Sequence, residues 1–476
     1  MALRNRLPSE ISQFPLPERG VNLSVQSNLL APDQWPLMQN YVLDGAVDKR
    51  EGMRRINATA LDANKRVSGG TKYYYRIGST RFPTSTRLVT YGTNLSKISD
   101  NGLETAVATD LTDDADTFFN AWPFTRKLYI SNGEDTLRAY DGPLDSYATL
   151  TGTNIPTPIA RVIGLNDRMF AITPDGIERT NPGVDNVWSL NNWATFKGSQ
   201  EGHFTALYPW TFKTISGFIE GALAFQDSSY YRFHGTNFGS NVDSASVDIN
   251  SDAAINLVND DIGTSSPSSV VEVPGVGLFW FTSDFNVYHI PANQLTGGYV
   301  ANSLRSVIEI PGIESVHPGF LDKVWMKYLF PYLMLGIPEK TSPYTSQQWW
   351  MDVRVFGRLG PVWFGPMVGQ TLSTPWVEKQ LQDNFIFAGE GDPAKGAYVY
   401  QLRAPKSYTD MQGSVDADVV AKCRTFLNAF GAPNLEKRLQ SIHYEASPFA
   451  GDVTIRLYDI NGLIVDNLEM TEFTPQ

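Results

Sequence analysis

Through most of the chain, short and nearly continuous apolar runs break at a polar turn and then resume. Residues 127 to 142, KLYISNGEDTLRAYDG, carry the pattern in full. It recurs as RLVTYGTNLSKIS from Arg87, RMFAITPDGIERT from Arg168, ALAFQDSSYYRFHG from Ala222, GLFWFTSDFNVYHI from Gly277, YLMLGIPEK from Tyr332 and NFIFAGEGDPAKGAYVYQL from Asn384. Each reads as strand, turn and strand. The turns hold Asn-Gly, Asp-Gly, Asp-Ser or Gly-Asp pairs, which tolerate the positive φ of tight hairpins. The first strand of each unit is apolar on both faces, as expected where neighbours cover both sides.

Measured between Leu88, Leu128, Met169, Leu223, Leu278, Leu333 and Phe385, the units stand roughly 40, 41, 54, 55, 55 and 52 residues apart, the period of propeller blades. The expected fold is all-β, a β-propeller of six or seven blades over residues 67 to 410. A large sandwich or barrel of unrelated hairpins is the alternative. The stretch at 236 to 268, rich in Ser and Asp, interrupts the repeat and reads as a long loop of the kind that usually has a function.

The ends depart from the pattern. Residues 1 to 66 are Pro-rich and extended, with a short helical turn expected at Gln34 to Tyr41. This leader has too little apolar content to fold alone and is expected to join the C-terminal region, 411 to 476, in a small antiparallel, sandwich-like platform. From Val415 to Leu427 strict alternation predicts one long half-buried strand. An Asn461-Gly462 hairpin follows.

The composition, 42% hydrophobic and 18% charged with 39 Gly and 29 Pro, fits a strand-rich and loop-rich globular protein. A net charge of -12 argues against ordinary nucleic-acid binding, which draws on clustered Lys and Arg. The single cysteine, Cys423, rules out an intrachain disulfide and suits a reducing cytoplasm. Neither a signal peptide nor a transmembrane helix is predicted.

Little in the sequence points to catalysis. The five histidines stand at no metal-ligand spacing, and phosphate-cradling, dinucleotide-binding and serine-nucleophile motifs are absent. Glu134, Asp135 and Asp141 supply carboxylates to one turn, but charged turn tips are ordinarily just solvated. The acidic stretches at 110 to 116 and 242 to 261 lack calcium-loop spacing. The chain is therefore expected to be no enzyme and to need no cofactor. The Trp-rich stretches YPWTFKTISGF and QQWWMDVRVFGRLGPVWFG read as blade core.

The leader GVNLSVQSNLLAPDQWPLMQNYVLDGAVDKREGMRRIN resembles the start of tail hub, or nozzle, proteins of short-tailed bacteriophages, some of them called packaged-DNA stabilisation proteins. In that family a Lys-Arg-x-Gly step opens the first blade; here it is Lys49-Arg50-Glu51-Gly52, with Glu where proline is frequent. The resemblance implies a homo-oligomeric ring, a hexamer, below the portal and adaptor. It implies assembly in the host cytoplasm into the virion tail, with tail fibre or tailspike as further partners and duplex DNA passing through without specific binding. A receptor-binding tail propeller and a propeller glycosidase are the alternatives.

Two sets of residues follow from this reading. Trp35, Met38, Tyr41, Lys49, Arg50, Arg54 and Arg55 combine aromatic and basic character on an acidic chain and are expected to dock onto ring neighbours or the adaptor. Asp110, Asp113, Asp114, Asp116, Asp252, Asp260 and Asp261 are expected to face the ring axis, where their repulsion would keep DNA sliding.

Overall fold

The computed structural model describes residues 18–19, 21, 34–35, 37–43, 47–78, 83–165, 167–174, 176–188, 203–214, 217–234, 255–292, 294–299, 318–338, 342–380, 383–404, 409–424, 449–458 and 464–473. Seven small antiparallel sheets follow one another along it, each ordered from an inner to an outer strand. Their first strands are Val67–Tyr75, Phe118–Trp122, Arg161–Leu165, Ala206–Thr214, Val271–Val273, Trp325–Leu329 and Trp376–Gln380. The first strands of blades one to four touch in succession, those of the fifth and sixth touch each other, and the last returns to the first, around a central axis. The protein is a seven-bladed β-propeller.

The apolar repeat marks the second strand of every blade. Leu88, Leu128, Met169, Leu223, Leu278 and Leu333 are buried there, and Phe385 is half-buried near the start of the seventh. These strands are sandwiched within their own sheet and between adjacent sheets, so both faces are apolar. Blades pack closely where glycine meets tryptophan. A Cβ at Gly164 in the third blade would stand 2.2 Å from the Trp122 ring of the second, and one at Gly70 in the first would stand 2.5 Å from Trp376 of the seventh. Both Trp-rich stretches supply core: Trp210, Phe212, Trp349, Trp350, Trp363 and Phe364 are all buried.

Among the described residues the third blade has three strands, beside which Thr153 bridges Val187, Thr180 bridges Trp188, and Trp188 is buried. In the sixth blade, Asp352 caps the helix Val353–Leu359 by accepting from the Arg354 amide, and Gly360 ends it at a φ of 76°.

The seventh blade is closed from the other end of the chain. Its fourth strand is Met53–Arg55, paired with Val399–Leu402. The expected boundary at residue 67 between leader and propeller is thus crossed, because the last blade brings only three strands of its own. The helical turn expected at Gln34 to Tyr41 is also replaced. Leu37–Gln39 is a strand, Asn40 turns at a φ of 59°, and Tyr41–Leu43 pairs with Val47–Lys49.

In the C-terminal region the long strand expected from Val415 is divided. Val415–Asp418 pairs with Thr409–Gln412, whereas Lys422–Arg424 pairs with the leader strand Leu37–Gln39. The reason lies in the first half of the apolar face, which from 415 to 421 offers only Val and Ala: Val415 is exposed and Val419 is buried, so burial does not hold one straight strand. Phe449–Tyr458 and Ile464–Phe473 form a further hairpin. The loop expected over 236 to 268 is shorter at its far end, since Ile255–Asn259 is the outer strand of the fourth blade; residues 235 to 254 lie outside the described ones.

Candidate functional site

The leader runs along the outer strand of the sixth blade. Trp35 and Met38 are buried there in one apolar cluster with Val21, Met53, Trp363 and Phe364, and Tyr41 packs half-buried against it. The expectation that Trp35 and Met38 are exposed docking groups is therefore corrected. Too poor in apolar residues to form a core of its own, the leader uses those it has on the propeller's.

Arg50 is buried too, 1% exposed, and its guanidinium is fully engaged. Nη1 donates to Asp410 Oδ1 at 2.9 Å and to the Glu51 carbonyl at 3.2 Å. Nη2 donates to Asp410 Oδ2 and, at 2.8 Å, to the Val368 carbonyl; Nε donates to Asn40 Oδ1 at 2.9 Å. Gln370 also donates to Asp410, and Asn40 donates to the Val420 carbonyl at 2.7 Å. A buried charge persists only where partners replace its hydration. This network ties leader, sixth blade and C-terminal hairpin into one joint, so Arg50 is a structural hub, not a free docking cation.

The rest of that set lies nearer solvent. Arg54 is exposed and donates to Gln401 in the neighbouring strand. Arg55 lies over the Tyr398 ring and pairs with Asp416 at 2.7 Å. Lys49 is half-buried, and burial first of all lowers its pKa. Beside this joint Glu390 accepts from Tyr400, which in turn accepts from the Gly413 amide. Burial pushes the Glu390 carboxyl up to about 7.

A second charge network closes the seam between the seventh and first blades. Glu378, 0% exposed, accepts from Arg87 at 2.5 and 2.7 Å and from Trp376 Nε1 at 2.9 Å, with Lys72 at 3.4 Å. Arg87 also reaches Asp100 and lies 4.6 Å over the Phe387 ring. Two cations meet two carboxylates.

Three of the expected channel acids are engaged within the chain. Asp110 pairs with Arg138 and accepts from Tyr147, and Asp113 pairs with Lys65. Asp116 bonds Arg66 and Lys323, both at 2.7 Å. Burial alone would raise the Asp116 pKa, but these two cations outweigh it and hold the carboxyl below its usual range. Asp116 is thus no free wall charge. Asp114, Asp260 and Asp261 are exposed, and Asp252 lies outside the described residues. The stretches at 110 to 116 and 260 to 261 both join an outer strand to the next blade's inner strand, so they emerge on the same face.

At the far end of the third blade's inner strand, a cavity of about 400 Å³ is lined by Gly164, Leu165, Trp210, Glu220, Glu272 and neighbouring residues. Trp210 is buried with its Nε1 donating to the Gln294 carbonyl, while both glutamates are exposed. Sequence reading missed this pair, since the two carboxylates come from different blades. Among the described residues no group of three metal-ligating side chains occurs.

No family model and no curated protein matches the chain. Among solved structures it is similar to the WD40 β-propeller domain of Doa1, at 11% identity and a TM-score of 0.41, over 75% of this chain and 98% of that one. YCF48 from Cyanidioschyzon merolae matches at 9% identity and a TM-score of 0.37, over 74% of this chain and 98% of that one. PorZ, a surface component of the type-IX secretion system of Porphyromonas gingivalis, matches at 10% and 0.39, over 79% of this chain and 40% of that one. The assignment of seven blades stands on the strand pairing itself.

Proposed function

We propose that the chain is a structural, ring-forming component of a short bacteriophage tail, a nozzle or hub that stands below the adaptor and channels DNA outward. The observation that carries this reading is the joint on the rim. The step Lys49-Arg50-Glu51-Gly52, on which the family resemblance rests and which was expected to open the first blade, leads instead into the strand that closes the seventh, directly before the first blade begins at Val67. Its arginine locks that strand to the C-terminal hairpin. A closed propeller with a platform fixed to one side can be repeated about a common axis, the platform meeting the adaptor or a neighbour through Tyr41, Lys49, Arg54 and Arg55. Asp114, Asp260 and Asp261 are exposed and would face the lumen. A homohexamer with fibre or tailspike partners, assembled in the host cytoplasm, belongs to the same proposal, and such a role asks for no catalytic group or cofactor.

Imaging of the purified protein mixed with its virion neighbours tests the proposal. Rings of six subunits seated on the adaptor are the expected result, and a protein that stays monomeric beside assembled adaptor rings overturns it. The cavity with Trp210, Glu220 and Glu272 favours a second reading, a polysaccharide-degrading propeller, because an aromatic floor and two carboxylates suit a sugar ring. Hydrolysis of host surface polysaccharide that is lost in Glu272→Gln would select it.

A further inference from the structure

The inner strands converge on a cluster of charge at the mouth of the propeller axis. Asp116, just before the second blade, pairs with Lys323, just before the sixth, and with Arg66, just before the first. Blades two and six are not neighbours, so this pair spans the mouth. Arg161, which opens the third blade, has its guanidinium carbon 3.3 Å from the centre of the Phe118 ring, at the start of the second. It donates to Ser268 Oγ at 3.3 Å, in the turn Pro267–Ser269 that opens the fifth. Lys327 joins it from the inner strand of the sixth blade.

The charges do not balance. Arg66 and Lys323 share Asp116, and Lys323 has Asp322 besides. Arg161 and Lys327 have no carboxylate within salt-bridge distance among the described residues, yet both are only partly exposed and feel each other's charge. Burial first, then the nearby Arg161, pushes the Lys327 ammonium down to about 8. Burial likewise lowers Arg161, to about 9, against the pull of Asp116. Enclosed charges are ordinarily paired, and two like charges held together without a counter-ion are unfavourable unless something else supplies one.

We propose that Arg161 and Lys327, with the Ser268 hydroxyl, form a site in the axial mouth for a small oxyanion bearing two or more negative charges. The planar guanidinium, fixed on the Phe118 face, offers a fork of donors to two oxygens. Lys327 adds a point charge from the opposite wall, and the hydroxyl orients a third oxygen. Phosphate and dicarboxylate share this chemistry. The site lies apart from the rim joint and does not depend on the chain's place in a tail.

Isothermal titration of the full chain with inorganic phosphate and, separately, with succinate tests it, against chloride at matched ionic strength. Saturable binding of either anion is expected, and the stronger of the two identifies the class. Lys327→Met should weaken that binding by about tenfold or more, the loss expected for one charge-assisted hydrogen bond. Arg161→Gln should weaken it similarly. If Arg161→Gln fails to fold, Lys327→Met decides alone, since it removes an enclosed charge and leaves none newly unpaired. No saturable binding of either anion to the wild-type chain overturns the proposal, and so does binding that survives unchanged in Lys327→Met.

Discussion

The rim joint and the axial mouth both enclose charge, but only the first balances it. Around Arg50 every donor of the guanidinium group meets an acceptor, and Asp410 is shared by Arg50 and Gln370. At the mouth Asp116 serves Arg66 and Lys323, while Arg161 and Lys327 lack a carboxylate among the described residues. The difference separates two uses of one kind of residue. Where partners are complete, the charges fix the fold and removing one is costly; where they are incomplete, removing one relieves strain and costs binding instead.

The largest break in this comparison comes from deleting residues 1 to 55. The seventh blade would lose its fourth strand and Asp410 its cation, so cooperative unfolding should vanish, as a urea titration followed by tryptophan fluorescence would register. A deletion of residues 1 to 50 leaves that strand in place but removes Arg50, so it too should destabilise the propeller; it is not a neutral way to remove a docking leader. Next in size is Asp410→Asn, which strands the buried Arg50 cation and should cost about 3 to 5 kcal/mol in denaturant unfolding. The pair Arg50→Met with Asp410→Leu should recover much of that loss.

A smaller effect depends on pH. The folded-state pKa of Glu390, about 7, lies above the ordinary 4.5, so its stabilising contribution is complete below pH 4.5 and is lost as pH rises through 7. Glu390→Gln should therefore raise the midpoint of thermal unfolding at pH 8, by an amount equivalent to about 1 to 3 kcal/mol, with little change at pH 4.5. Equal effects at both values would mean that ionisation plays no part. Smallest is Lys327→Met without added anion, expected to change stability by less than about 1 kcal/mol.

The blades were legible because burial on both faces writes an unbroken apolar run, and all seven marked positions, from Leu88 to Phe385, fall in second strands. Strand Met53–Arg55 was not legible: its three residues include two arginines and show no alternation. Arg50 was visible as a charge but not as a buried one, because its partner Asp410 lies 360 positions away. Arg161 and Lys327 carried no signal at all. Their meeting depends on ring closure, which brings blades three and six to the same axis.

Denaturant unfolding of wild type, Asp410→Asn and Lys327→Met in parallel, each in chloride and in the anion that binds best, sets the balanced and unbalanced clusters directly against each other. Asp410→Asn is expected to lose stability in both salts and to keep the gain from the bound anion. Lys327→Met is expected to match wild type in chloride and to lose that gain. Lys327→Met as unstable as Asp410→Asn in chloride, with the gain from the anion intact, would contradict the distinction.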